Sequence, residues 1–308
     1  MFRYILKRVL TGLITIWAII SITFFLVRLM PGGPFDGEKI NPQVKANIEA
    51  KYGLDKPLGT QYVMYWKNLV KGDLGESMLF RGRQVSDTIS KSFPNSAKLG
   101  VVSILVSLLV GVGLGIISAL KSGKWPDRVC MFIATLGITI PSFVISALLI
   151  YVFASKLGIF PTTGFSSLKH MVMPVIALSA SSTAFITRLT RSKLIDVLKS
   201  DYIRTAKAKG LNKKTVVVKH ALRNSLIPVI TYVGPLIASI LTGSFIIESI
   251  FAIPGLGSEF VSTIVGRDYS ALLGVLVFYS TLIVISNLVV DILYVIIDPR
   301  IKLENVEV

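Results

Sequence analysis

Six stretches of this chain carry no charged side chain, and each is long enough to cross a lipid bilayer. They run from Val9 to Val27, Leu99 to Leu120, Val129 to Ser155, Met171 to Thr187, Asn224 to Ile247 and Tyr269 to Val290. A hydrocarbon core of about 30 Å takes roughly 17–25 helical residues at about 1.5 Å each. The fourth run meets that length with nothing to spare. Lipid offers the backbone no hydrogen-bond partners, so helices are expected throughout. The sequence therefore predicts an all-α integral membrane protein with six transmembrane helices. Composition excludes a soluble domain: 16% of the 308 residues are charged, against about 25% in ordinary soluble chains. The net charge of +16 would otherwise point to nucleic acid, but runs this long do not fit a soluble nucleic-acid binder.

The charges are arranged by side. Six spans make the connections alternate. One set holds Arg3, Lys7 and Arg8, then Lys121, Lys124 and Arg128, then the basic stretch from Arg188 to Arg223, then Arg300 and Lys302. The short connections of the other set hold Lys156, Lys169 and Arg267. Short cytoplasmic loops collect Lys and Arg, so both termini and the basic stretch are expected in the cytoplasm. The first run ends at "RLMPGGP" with no small-x-small cleavage site, so it is read as a retained span. The lone cysteine, Cys130, excludes an internal disulfide and a cysteine metal cluster. His170 and His220 fall in different compartments, which argues against a two-histidine metal site.

The segment between the first two spans reads as folded. In "NPQVKANIEAKYG", Asn41 can cap a helix that has Pro42 in its first turn and Gly53 past its end. In "TQYVMYWKNLVKG", Tyr62, Tyr65, Trp66 and Leu69 recur at helical spacing, with Gly72 closing the helix. This stripe is expected to pack rather than bind. Within the spans, Gly111 and Gly115 form a GxxxG pair suited to close helix approach. Pro141, Pro174, Pro228 and Pro235 predict bends. "SASSTAFIT" gives the fourth run a polar seam, open to either a watery path or interhelical hydrogen bonds. Asp291 is an acid inside the last span, a functional candidate whose plainer role is pairing with a basic residue of the cytoplasmic loop.

The basic stretch reads as helix, glycine, helix. Tyr202, Ile203 and Ala206 are expected to form a small apolar face. Gly210 supplies the left-handed turn, and Asn212 caps the second helix. Ala206, Ala208 and Gly210 keep the corner slim. A slim corner on long helices suits insertion into a partner's cleft, a property that side-selective charge alone does not explain.

"YIRTAKAKGL" with "HALRN" resembles the coupling loop of binding-protein-dependent ABC importers, whose general form is E-A-A, three residues, G, nine residues, I-x-L-P. Aligned on Gly210, Arg204 and Thr205 replace the Glu and first Ala, and Ala206 matches the second. His220 stands at the Ile, Leu222 matches the Leu, and Arg223 replaces the Pro. These departures resemble the peptide-importer branch. "RLMPGGP", "YGLDKPLGTQY", "KGDLGES", "PGLG" at 254–257, "RDY" at 267–269 and "DPR" at 298–300 are similar to the B-type permease of oligopeptide and dipeptide importers. Ser270 stands where a proline is frequent.

The resemblance implies a type I ABC importer permease in a bacterial or archaeal cytoplasmic membrane. It implies residues 1–96 as first span plus a small extracytoplasmic domain, 97–303 as a five-helix core with coupling helices at 200–224, and 304–308 as a tail. The implied partners are a second, C-type permease, two cytoplasmic ABC ATPases, an extracytoplasmic peptide-binding lipoprotein, the peptide and membrane lipid, with no nucleic acid. ATP and Mg would sit on the ATPases, because this chain has no G-x-x-x-x-G-K-[ST] loop, and no cofactor or metal is expected here. Asp201, Arg204, Thr205, Ala206, Gly210, His220, Leu222 and Arg223 are the expected ATPase-coupling residues. Pro254, Gly255, Leu256, Gly257, Arg267 and Asp268 are the candidate outer gate, either dipping towards the membrane or lying on it as an amphipathic helix. Dipeptides, glutathione or a nickel complex remain alternative cargoes. A membrane-embedded enzyme is the rival class, and neither H-E-x-x-H nor G-x-S-x-G is found to support it.

Overall fold

The computed structural model describes residues 2–29, 42–242 and 244–297. They are almost entirely helical. In order these are α1 (Phe2–Leu29), α2 (Pro42–Lys51), α3 (Leu58–Val70), α4 (Val85–Leu120), α5 (Trp125–Thr139) and α6 (Ser142–Leu149), which continues as a π-helical stretch Ile150–Lys156. Then come α7 (Leu168–Leu198), α8 (Asp201–Ala208), α9 (Lys213–Thr215), a second π-helical stretch Val216–Ala221, and α10 (Leu222–Ser225). The chain continues with α11 (Ile227–Thr242), α12 (Phe245–Ile250), α13 (Leu256–Gly266) and α14 (Tyr269–Ile297).

Four segments are each apolar and long enough to cross a membrane: Leu6–Leu29, Val85–Leu120, Leu168–Leu198 and Tyr269–Val289. The third apolar run departs from expectation. It breaks at Ile140 and Pro141 into two helices bent by 108°. Pro141 lacks an N–H and disfavours helical backbone at the residue before it, and Ile140 is accordingly extended. The fifth run gives a helix of 16 residues, shorter than a full span. Pro174, by contrast, sits inside the continuous 31-residue α7.

The described residues fall into two compact units. One contains those up to Ser96 together with those from Pro254 onward, and the other is Ala97–Ile253. The described residues from Pro254 onward thus group with the first span and the segment after it.

In the first unit, α3 packs its aromatic stripe on α1. Phe24 is fully buried, with the rings of Tyr62 and Tyr65 centred 5.4 and 5.7 Å away. The Phe24–Tyr62 pair is edge-on, and such pairs add to the area they bury. The Tyr62 hydroxyl hydrogen-bonds Ser21 at 2.6 Å, and Arg28 Nε donates to Gln61 Oε1 at 2.7 Å. Burial pushes the Tyr65 phenol well above its ordinary range. The packing role expected of the stripe is what the contacts provide. Gly53 and Gly72 lie past the ends of α2 and α3 with φ of +66° and +81°, where a Cβ is strained.

In the second unit, small residues bring α4, α5 and α7 together. A Cβ at Gly111 would lie 2.9 Å from the Thr183 carbonyl, and one at Gly115 would lie 2.8 Å from the Thr187 carbonyl. Gly137 of α5 meets the Ala180 carbonyl in the same way, at 2.9 Å. The expected GxxxG contact therefore forms, with α7 as its partner. Ser179, Ser182 and Thr187 of the polar seam are buried, and Ser107 donates across to the Ser179 carbonyl at 3.4 Å. Ser179, Thr183 and Thr187 also line a cavity of about 270 Å³ between α4, α5 and α7.

Candidate functional site

The basic corner is built as helix, glycine, cap, helix. In α8, Ile203 and Ala206 are buried against Ala119 and Leu194. Tyr202 corrects the expectation: it turns out of that face, 42% exposed, and its hydroxyl accepts from Asn224 Nδ2 at 2.9 Å. That bond ties the first turn of the corner to its far end. Gly210 has φ +79° and nothing within 4 Å of where a Cβ would stand. Asn212 Oδ1 accepts from the Thr215 N–H at 2.8 Å, the expected N-cap.

Beyond the cap, Val216, Val217 and Ala221 are buried. The π-helical turn there was not foreseen; such turns are frequent at functional sites. His220 and Leu222 are half-buried and Arg223 is exposed. Lys207 to Lys214 are all exposed, so the tip is a free cationic surface around Leu211. Asp201 pairs with Arg204 at 3.3 Å, but both are on the surface, where such a pair contributes little. Thr205 Oγ1 donates to the Asp201 carbonyl.

The segment 254–268 belongs to the other unit. It forms a helix with one face buried, at Leu256, Gly257 and Thr263, and another exposed, at Ile264 and Val265. Asn95 Nδ2 donates to the Pro254 carbonyl at 2.8 Å, and the Leu256 N–H donates to Ser96 Oγ at 2.8 Å. Gly255 precedes α13 as its cap position. Arg267 ends the helix in the left-handed region, φ +58°. The buried Asp268 carboxylate accepts from the Ser77 hydroxyl and from the Met78 and Ala271 N–H groups.

Arg83 and Glu259 form an ion pair at 2.9 Å beside a cavity of about 450 Å³ that Asp268 also lines. The neighbouring loop is closed by Glu76, which accepts from the Gly82 N–H and from Lys51. These two donors hold the Glu76 carboxyl below its ordinary value. Asp291 lies on α14, and its side chain is outside the described residues, as are Asp298 to Arg300. His170 bonds Ser167 at 2.8 Å, and no cluster of three metal-binding side chains occurs among the described residues.

One site was missed from sequence. The buried Asp127 carboxylate accepts from Arg191 Nε at 2.6 Å, Arg191 Nη2 at 2.8 Å, the Gly123 N–H at 2.8 Å and the Ser118 hydroxyl. Its signal was present: Asp127 is the one acid in a basic connection, just after Trp125–Pro126 at a helix start.

Comparison with known proteins places this architecture. Residues 111–303 match the family described as binding-protein-dependent transport system inner membrane component, and residues 1–105 match the N-terminal family of the same components. The chain belongs to this family of membrane transport components, and it is not an enzyme. It is 47% identical to the dipeptide transport system permease protein DppB of Bacillus subtilis, covering 99% of each chain. It is 44% identical to the oligopeptide transport system permease protein OppB of Escherichia coli K12, over 98% of this chain and all of the other. A chain of the inward-facing MetNI methionine ABC transporter superposes with TM-score 0.57 at 16% identity, covering 68% of this chain and 96% of that one. An amino acid ABC transporter chain gives 0.53 at 15% identity, covering 70% and 95%. These two share the fold.

Proposed function

We propose that this chain forms half of the translocation pathway of an ATP-driven importer for oligopeptides delivered by an external binding protein. The observation that carries the cargo is near full-length similarity to permeases of oligopeptide and dipeptide transport. The basic corner supports the energy source, because it offers a slim exposed tip and the chain has no nucleotide loop of its own.

On this reading both termini and the corner face the cytoplasm of a bacterial or archaeal cell. Asp201, Arg204, Thr205, Ala206, Gly210, His220, Leu222 and Arg223 form the surface or frame that docks an ABC ATPase. Two such ATPases hold ATP and Mg, a C-type permease supplies the other half of the pathway, and a lipoprotein delivers the peptide. The span and external segment of residues 1–96, the core of 97–303 and the tail of 304–308 divide these tasks. The complex reconstituted in liposomes should take up labelled oligopeptide only with ATP and binding protein both present. Competition by dipeptide, glutathione and a nickel complex ranks the cargoes, and uptake of only the last two would overturn the peptide reading.

The segment 254–268 closes the external end, with Pro254, Gly255, Leu256 and Gly257 at one flank of α13 and Arg267 and Asp268 at the other. Its ties to Asn95 and Ser96 give it a fixed foot, and its exposed face leaves room to move. Cysteines placed singly along 258–264 should differ in reactivity towards a water-soluble reagent between nucleotide-free and ATP-bound complexes. Equal reactivity in both states removes the gating role.

A further inference from the structure

We infer that the Asp127–Arg191 pair is the joint through which movement of the coupling corner reaches the spans, a positioning role resting on the reading that the corner docks an ATPase. One carboxylate joins four places in the chain. Ser118 is on the last turns of α4, Gly123 is in the connecting turn, Asp127 itself is in the first turn of α5, and Arg191 is on α7. Arg191 stands ten residues before Asp201, where the corner begins. Arg188 adds a second tie from α7 to α5, donating to Thr135 Oγ1 at 2.8 Å.

The corner is fastened to the same block. Ile203, Ala206, Val216 and Ala221 share one buried cluster with Ala119 of α4 and Leu194 of α7. Nothing in that cluster comes from α5. The buried route from corner to α5 therefore runs through α4 and α7, and Asp127 is where both meet the start of α5 in one set of hydrogen bonds. Further along, Gly111, Gly115 and Gly137 keep α4 and α5 against α7, so that motion imposed at the clamped end is carried along all three helices.

Stability alone is a poor reason for such a pair. Asp127 is buried while Arg191 stays partly exposed, and taking the carboxylate out of water costs desolvation that the attraction barely repays. What the bidentate fork supplies is a fixed angle between guanidinium and carboxylate. A joint that must pass on a rotation needs that fixed angle.

The test uses the assembled complex with its binding protein. In Asp127→Asn, peptide moved per ATP hydrolysed should fall roughly two- to thirtyfold, the range expected for residues along a coupling route. Spin labels at exposed Arg128 and Val218 should keep one separation through the ATP cycle in the parent and should shift with nucleotide in Asp127→Asn. Arg191→Lys keeps the charge but loses the fork, and should give a smaller drop with the same labelled shift. It serves as the variant if Asp127→Asn fails to assemble.

A variant that assembles, melts earlier and yet moves the parent's amount of peptide per ATP makes the pair a structural staple and overturns the proposal. A parent whose label separation itself changes with nucleotide overturns it too. Failure of the docking reading is distinguishable: the Gly210→Trp complex would then couple normally whatever Asp127 does.

Discussion

Gly210→Trp should reduce peptide uptake by the assembled complex at least about tenfold, with hydrolysis no longer stimulated by loaded binding protein. The residue sits at φ +79° at the turn of the corner. Any side chain there meets backbone strain, about 1–2 kcal/mol in the left-handed region. Beyond its chain neighbours a Cβ meets nothing else among the described residues within 4 Å. Gly210→Ala therefore isolates the strain, and Gly210→Trp adds bulk that only a partner could feel. The docking account expects Ala to retain most uptake and Trp to lose it. Equal loss in both variants would assign the effect to the turn, and normal coupling in Gly210→Trp would end the docking account.

Gly115→Leu should be the most damaging single change within the spans. Its first added atom would stand 2.5 Å from Thr190 Cβ and 2.8 Å from the Thr187 carbonyl. The second contact is backbone and cannot rotate away. Overpacking costs about 1–3 kcal/mol where side chains can yield, and more is expected here because helices in lipid associate chiefly by close packing. Gly113 lies on the same helix two residues away with nothing within 4 Å. Gly113→Leu should leave stability unchanged or raise it by up to about 1 kcal/mol, since glycine is the poorer helix former. Melting of the purified complex in detergent compares the two. Similar midpoints would show that α4 and α7 are not held at this contact.

Local chemistry made much of the fold readable. Runs free of charge located the long helices, and Gly53, Gly72 and Gly210 marked left-handed positions that only their lack of a Cβ permits without strain. Asn212 was readable as a cap because its partner is three residues away. The features that escaped depend on distant partners or on direction. Tyr202 belongs by spacing to the buried face, but Asn224 draws its hydroxyl outward. Asp127 and Arg191 are 64 residues apart, and each alone looks like an ordinary charge near a membrane surface. The 108° bend comes at Pro141, which announced a kink without its size. The bonds of Asp268 to Ser77 and Met78 come from a loop about 190 positions earlier.

The length of α7 has a consequence for the setting in which the motor works. Its 31 residues extend about 46 Å at 1.5 Å each, while the hydrocarbon layer is about 30 Å thick. Its uncharged stretch ends at Thr187, and Arg188, Arg191 and Lys193 come next, the pattern of Lys and Arg collecting beside a membrane. The last turn and the corner beyond then stand off from the lipid as a pedestal. On the docking account, an ATPase held there would swing without dragging phosphates, so the complex should tolerate a broad range of bilayer surface charge.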